Sequence, residues 1–401
     1  MSNSLDIWYI IFQHCDLLSQ LRLFSVCSEF YHSFFITDMY SIDPFYRHKL
    51  TNSTLKQKKF SRMIELNIEL NDYVDDISFL TNLKRLIPNN KINQQSIQKL
   101  NLIELAFYNN KIKDISFMTN LKILHIHGFC NINQQSIQGL NLTELYAGHN
   151  NQIRDISFMS NLKKLYATQL CDIDQQGIDG LDLIELYVSD NKKIRNASSM
   201  INLKKLDASH SCGIDQSGIQ GLDLVNLDAN YNEKIRDVSF MTNMKTLRII
   251  GSCGIDQRGI RGLDLIELRA GNNKKIKNVS FMTNLKKLHI PSSCGIDQHG
   301  IQELDLIELC ASNNEKIKNV SFMTSLKILY ACGFCGIDQQ GIRGLNLIQL
   351  DACNNKKIKD VSFMINLTHL DASGTCGINK WGVQGLNLKY LNTSGNPNFD
   401  F

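Results

Sequence analysis

Twelve cysteines carry the most reactive side chains of this 401-residue chain. Seven of them stand in line, Cys130, Cys171, Cys212, Cys253, Cys294, Cys335 and Cys376, each 41 residues after the last. The string "CGIDQ" returns unchanged at Cys212, Cys253, Cys294 and Cys335, with "CNINQ", "CDIDQ" and "CGINK" at the others. A thiol series of this kind could hold metal, form disulfides or attack an electrophile. Which of these it does depends on what the period folds into.

Segments ending in Leu recur 17 times, from Leu66 to Leu391, spaced 19 to 21 residues apart, and two kinds alternate so that the full period is 41. With the first Leu of each unit as position 1, positions 1, 4 and 6 are apolar, and positions 4 to 6 show the period-2 alternation of a short strand with one buried face. Position 12 is Ile or Val and position 17 is usually Ile or Phe; both are expected to join the core. One kind of unit carries Asn at position 9, from Asn71 through Asn232 to Asn396. An inward Asn at a tight bend can bond backbone groups that no strand partner reaches. The other kind carries Cys at position 10 and then "IDQQGIQGL", where Asp is a good N-cap for a short helix. One unit cannot cover its own apolar face, but stacked units share a continuous core. Each buried Leu or Ile there contributes about 1.5–3 kcal/mol.

Over residues 63–392 this pattern resembles the leucine-rich repeat. "LxxLxAxxNN" with "DVSFMTNL" looks like short internalin-like repeats. "CGIDQQGIQGL" looks like the cysteine-containing repeats of F-box proteins, with Cys one residue late and "DQ" in place of "TD". The fold class this implies is α/β, a solenoid of about 17 short coils with a parallel sheet on its concave face. Neighbouring strands lie about 4.8 Å apart, so ladder cysteines two coils apart are about 10 Å from one another. A disulfide needs Cα atoms about 4.4–6.8 Å apart, and a shared zinc needs each sulfur about 2.3 Å from the metal. The ladder cysteines are therefore expected to pack as small hydrophobes. Redox or metal chemistry would need Cys310, Cys332 or Cys353 to come together off the ladder; Cys332 and Cys353 share position 7 in adjacent coils and are the pair able to approach on the exposed face.

Residues 1–45 do not repeat. Ile7, Ile10 and Ile11, then Leu17, Leu18 and Leu21, have helical spacing, and Asp16 and Ser19 can cap a second helix, so two or three short amphipathic helices are expected. Asp6-Ile7, Ile11-Phe12, the leucines 18, 21 and 23, and "VCSEF" from Val26 to Phe30 resemble the F-box. Its usual Leu-Pro corner is replaced by Asn3-Ser4, and a usual basic residue by Ser28. The resemblance implies a small all-α F-box-like domain in which Ile7, Ile11, Phe12, Leu18, Leu21 and Val26 pack the box or meet a Skp-type adaptor of a cullin–RING ubiquitin ligase. The alternative is a helical cap on the first coil, which repeat arrays need in any case. Residues 46–62 are polar and basic and read as a linker or lead-in turn, and 393–401 as a C-terminal tail. An F-box followed by leucine-rich repeats in this Ile-, Asn- and Lys-heavy vocabulary is similar to the F-box/leucine-rich-repeat proteins of amoeba-infecting giant viruses.

Position 5 carries the differences between coils: Tyr146, Tyr166 and Tyr187, then Asp207 and Asp228, then Arg248 and Arg269. Tyr and Arg dominate binding hot spots, so these seven form the candidate partner-binding strip. The alternative is local pairing, aromatic on aromatic and Asp228 with Arg248. Lys at position 2 of the cysteine units and Glu at position 3 of the others are expected to lie side by side as exposed pairs worth about 1 kcal/mol or less. A formal charge of +4 with opposite charges interleaved argues against a nucleic-acid stripe. No apolar run is long enough to span a membrane and the N-terminus has no basic signal-peptide segment, so reduced thiols and a cytoplasmic location are expected, in the host if the chain is viral. There is neither a phosphate loop nor H-E-x-x-H, and no cofactor is implied. The function read from these features is a non-catalytic adaptor, monomeric before complex formation. It is a substrate receptor of an SCF-type ligase, with the F-box on a Skp-type adaptor and the concave face on a protein target. The alternative is a leucine-rich-repeat scaffold with no ubiquitin link.

Overall fold

Each position-4 Leu, from Leu66 to Leu391, lies inside a strand of three or four residues. The computed structural model describes residues 15–26, 34–41, 44–107, 111–128 and 130–399. It divides into two units, Met1–Tyr187 and Val188–Phe401. The first holds strands β1 (Asp38–Met39), β2 (Glu65–Asn67), β3 (Arg85–Ile87), β4 (Glu104–Phe107), β5 (Ile123–Ile126), β6 (Glu144–Tyr146), β7 (Lys164–Tyr166) and β8 (Glu185–Tyr187). The second runs from β9 (Lys205–Asp207), β10 (Asn226–Asp228), β11 (Thr246–Arg248), β12 (Glu267–Arg269), β13 (Lys287–His289) and β14 (Glu308–Cys310) through β15 (Ile328–Tyr330), β16 (Gln349–Asp351) and β17 (His369–Asp371) to β18 (Tyr390–Asn392). Within each unit neighbouring strands are parallel and in register, Leu beside Leu. Each unit is thus a solenoid of short coils with a parallel sheet along one side.

The coil interior is apolar at positions 1, 4 and 6, as at Leu224, Leu227 and Ala229. The position-9 Asn closes the gap that the strands leave. Asn232 Nδ2 donates to the carbonyls of Ala208 (2.7 Å) and Ile214 (3.1 Å) in the preceding coil, and its Oδ1 accepts from the N–H groups of Lys234 (2.9 Å) and Ile235 (3.3 Å). Asn273, Asn314 and Asn355 build the same bridge. The ladder cysteines lie beneath it, each at most 1% exposed. Asp215 Oδ1 accepts from the N–H groups of Ser217 (2.9 Å) and Gly218 (3.1 Å), and the expected short helix is the single 3-10 turn Ser217–Ile219. A Cβ at Gly218 would stand 2.4 Å from the Arg195 carbonyl oxygen, and one at Gly259 2.1 Å from that of Arg236, so these coils close tightly over glycine, whereas Ser136 fills the same place in its own coil with its Oγ donating to the Lys113 carbonyl at 2.5 Å.

Position 17 departs from expectation in half of the coils. In the cysteine units it is a buried Ile, such as Ile219 and Ile260. In the Asn units Phe158, Phe281, Phe322 and Phe363 stay 38–41% exposed, and the following Met fills the core. The turn admits one inward side chain, and the flexible thioether fits the narrow space better than a rigid ring.

The N-terminal region also differs. β1 pairs with β2, Met39 beside Leu66, so the sheet begins inside the segment expected to be all-α. Phe34, Ile36, Leu50, Leu55, Phe60 and Met63 are buried, and residues 44–60 carry the short helices Pro44–Arg47 and Asn52–Leu55 and the 3-10 turn Lys58–Phe60. Asn71 Nδ2 donates to the Arg47 (2.7 Å) and Leu50 (2.9 Å) carbonyls, which stitches this cap to the first repeat. Ahead of it stands the helix α1, Leu17–Val26, whose first turn is capped by Asp16 Oδ1 accepting from Ser19 N–H at 2.9 Å. Leu18 and Val26 lie on α1 and Leu21 is half-buried; Ile7, Ile11 and Phe12 lie outside the described residues. No distinct all-α domain is seen among the described residues, and none of their helices is long and apolar enough to cross a membrane.

One coil carries a correctable strain. Glu303 sits at φ 68 where the equivalent residues are Gly180, Gly221, Gly262 and Gly344, with φ from 73 to 79. A left-handed conformation costs a non-glycine residue about 1–2 kcal/mol, partly offset by the extra unfolded-state freedom of glycine. Glu303→Gly is expected to raise stability by about 0.5–1 kcal/mol; an unchanged or lower denaturation midpoint would contradict this.

Candidate functional site

The position-5 column sits on the exposed face of the sheet, and in the first unit it forms a stack of rings. His125 and Tyr146 have centroids 4.0 Å apart at 10°, Tyr146 and Tyr166 4.5 Å at 17°, and Tyr166 and Tyr187 3.9 Å at 5°. In-register pairing sets this geometry, because one rotamer repeated at the strand spacing brings the rings face to face. The rings are held together by the pairing of their strands as much as by mutual attraction, since aromatic pairs left to themselves prefer an offset or edge-to-face arrangement. The hydroxyls are tied down as well: Tyr146 donates to Glu144 Oε2 and Tyr187 to Glu185 Oε2, both at 2.8 Å. Lys164 Nζ lies 5.7 Å from the Tyr146 ring centre, 5.5 Å from that of Tyr166 and 3.5 Å from Glu185 Oε2. Burial, then the carboxylate holding its proton, pushes the Tyr146 phenol up to about 12, and burial raises Tyr187 further. Burial holds the His125 imidazole below its ordinary range.

In the second unit the column is charged. Asp207 stands beside Asp228, Asp228 beside Arg248, and Arg248 beside Arg269. Asp228 Oδ2 and an Arg248 terminal nitrogen are 3.7 Å apart, and Arg269 Nε donates to Glu267 Oε1 at 2.6 Å on its own strand. Each aspartate also closes a local turn: Asp207 Oδ1 accepts from Ser209 N–H and Oγ–H, and Asp228 Oδ1 from Asn230 N–H. Burial, reinforced by the charge of Asp207, pushes the Asp228 carboxyl up. His289 Nε2 comes to 3.0 Å from Glu308 Oε1. The local pairs expected along the column form, and its side chains remain half-exposed.

Several residues of the face escape the sequence reading. The Glu row at position 3 pairs within its own row, Lys164 with Glu185 and Lys287 with Glu308, each at 3.5 Å. The position-2 lysines 84, 122, 163 and 204 instead donate to backbone carbonyls just ahead of the next strand, as Lys163 does to Asp182 O at 3.0 Å. Arg85 bridges Glu65 and Glu104, both at 2.8 Å, with its guanidinium 4.1 Å from the Tyr40 ring centre, and Tyr40 donates to the other Glu104 oxygen at 2.8 Å. Arg85 breaking the repeat vocabulary was the available signal; Tyr40 had none, since it precedes the first repeat. The rim lysines 275 and 357 fold back onto the Cys253 and Cys335 carbonyls at 2.9 and 3.0 Å. The Gln of "CGIDQ" is a staple: Gln216 Nε2 donates to Asp237 O (2.8 Å) and its Oε1 accepts from the N–H groups of Arg236 (2.9 Å) and Asp237 (2.8 Å) in the next coil.

Among the described residues, no three His, Cys, Asp or Glu side chains are grouped so as to hold a metal ion. No protein-family model and no curated protein matches the chain. Among solved structures the chain is similar to an internalin, InlF, of Listeria monocytogenes, with 19% identity over 63% of this chain and 82% of that one and a TM-score of 0.43. It is similar to the functional domain of InlJ from the same organism, which includes a cysteine ladder, with 19% identity over 79% and 69% and a TM-score of 0.39. It is also similar to the protein of the TLR13–ssRNA13 complex, with 16% identity over 84% and 72% and a TM-score of 0.46. These likenesses are of fold alone, that of a leucine-rich-repeat-like solenoid.

Proposed function

We propose that the protein is a non-catalytic scaffold that binds a protein partner on the exposed face of its sheet. The position-5 column carries this reading. A coil that is otherwise nearly constant presents there tyrosines already stacked and hydrogen-bonded, then aspartates and arginines, all half-exposed. Tyrosines already stacked lose little further freedom on binding, and Tyr and Arg are the residue types that dominate binding hot spots. The binding residues are Tyr146, Tyr166 and Tyr187 in one unit and Asp207, Asp228, Arg248 and Arg269 in the other. With a partner captured by the full-length chain, Tyr166→Ala and Arg248→Ala are each expected to weaken binding about tenfold or more. Binding unchanged in both variants, with the fold intact, would refute the strip.

A second reading keeps the ubiquitin-ligase link. It is favoured by α1, an Asp-capped helix formed by the "LLSQLRLFSV" stretch that resembles the middle of the F-box. In this reading Leu18, Leu21 and Val26, with Ile7, Ile11 and Phe12, meet a Skp-type adaptor, and the sheet face presents a target in the cytoplasm. The full-length protein is then expected to retain a purified Skp-type adaptor and to lose it on Leu21→Asp. No retention by the wild-type chain leaves the scaffold alone.

A further inference from the structure

We propose that Cys332 and Cys353 form a redox-responsive pair on the exposed face, joined across two neighbouring coils by a peroxide-class oxidant and reopened by a thiol reductant. The chain contains one Cys-x-x-Cys, Cys332-Gly-Phe-Cys335, and sequence spacing alone would pair its two cysteines. The structure separates them. Cys335 N–H bonds back to the Cys332 carbonyl at 3.3 Å, closing a turn with Gly333 at φ 63. That turn sends Cys335 into the core, 0% exposed, and leaves Cys332 half-exposed.

Cys332 faces the next coil instead. Its Sγ lies 3.6 Å from the Asp351 carbonyl oxygen, two residues before Cys353. The two coils also stay paired beyond the strands. Tyr330 stands beside Asp351, Ala331 N–H donates to Asp351 O at 2.8 Å, and Gly333 N–H donates to Cys353 O at 2.7 Å. This holds the two backbones at the sheet spacing of about 4.8 Å, inside the range of about 4.4–6.8 Å that a disulfide spans between Cα atoms. Cys353 is half-exposed too, and its Sγ accepts from Asn354 Nδ2 at 3.0 Å. The buried ladder cysteines, two coils apart, have neither the spacing nor the access, and Cys310 stands at position 5, out of register with Cys332.

The Cys353 thiolate attacks one peroxide oxygen, the O–O bond breaks, and hydroxide leaves and is protonated to water, giving a sulfenic acid. The Cys332 sulfur attacks that sulfenic sulfur, the S–O bond breaks, the thiol proton leaves with the hydroxyl as a second water, and the S–S bond forms. Two thiols are oxidised and one peroxide is reduced. The bridge sits beside Tyr330 and Asp351, so it changes the chemistry of that part of the face.

The test uses the folded full-length protein. It is treated with hydrogen peroxide, its remaining thiols are blocked with iodoacetamide, and it is digested with trypsin without reduction. Peptides 328–343 and 344–356 are expected joined, lighter than their sum by two hydrogens and separated again by dithiothreitol, with the ladder cysteines unoxidised. Cys332→Ser and Cys353→Ser, each half-exposed and checked for native circular dichroism, are expected to abolish the joined species. Fragmentation of the joined peptides places the bridge independently of the variants. An internal bridge within 328–343, a joined species that survives Cys332→Ser, or no bridge at all would each overturn the proposal.

Discussion

Raising the pH from 9 to 11 is expected to unfold this protein by titrating thiols that never meet solvent. Burial pushes Cys212, Cys253, Cys335 and Cys376 up to about 11 from the ordinary 9.0. Below pH 9 the thiol is protonated in both states and contributes no slope. Between 9 and 11 the unfolded chain gives up its proton while the folded chain keeps it, so the folded state binds more protons and stability falls as pH rises. Each such thiol subtracts about 1.4 kcal/mol per pH unit inside that window. Four together subtract about 5 kcal/mol per unit, against a total stability of about 5–15 kcal/mol for a typical domain. Circular dichroism against pH is expected to stay flat past about 9 until this loss exhausts the stability, and then to fall steeply, with a midpoint in the upper half of the window. Cys253→Ala removes one titrating group, and its stability–pH slope is expected to be shallower by about 1.4 kcal/mol per unit, whatever its stability at neutral pH. A slope equal to the wild type would mean that this thiol is not buried as the coil requires. The repeated cysteine therefore acts as a packing residue whose one chemical signature is alkaline lability.

The spacing of leucines was sufficient to place all the strands from β2 to β18, because a coil of nearly constant length must return each position-4 Leu to the same wall. The buried cysteines and the bridging Asn were legible for the same reason. What escaped depends on groups that repetition does not single out. β1 has two residues, with Met39 in place of Leu and no preceding coil to set its phase. The Phe and Met of "SFM" are both apolar, and only the width of the turn decides that Met points inward. Lys at position 2 and Glu at position 3 look like partners by charge, yet the lysines find a nearer acceptor in the backbone. At the candidate site, the tyrosine stack and the Asp228–Arg248 pair followed from register alone. Tyr40 and Arg85 did not, because their meeting depends on how the cap closes over the first coil.

Asn232→Ala is expected to cost more than any single surface change, because one buried side chain holds four backbone groups. Without it the Ala208 and Ile214 carbonyls and the Lys234 and Ile235 N–H groups lose their partner in a site where Asn232 is 1% exposed. Leaving a buried polar group unsatisfied costs about 1–3 kcal/mol. Water entering the space recovers part of this, so a net loss of about 3–5 kcal/mol is expected in chemical denaturation. Lys204→Ala, which removes one long bond of 3.4 Å at the surface, is expected to change stability by less than about 0.5 kcal/mol. Asn232→Asp separates hydrogen bonding from volume. The shape is kept and one oxygen still accepts from the two N–H groups, but the other now faces two carbonyl oxygens that need a donor. A carboxylate there is repelled and desolvated, and a protonated one donates once where Nδ2 donated twice. Asp is therefore expected to destabilise at least as much as Ala, although it is the closer isostere. If Asp proves nearly neutral, or Ala costs under about 1 kcal/mol, the coils are held by apolar packing alone. The spacing of the position-5 column would then have to be set by the leucines, without the bridge that ties every second coil to the one before it.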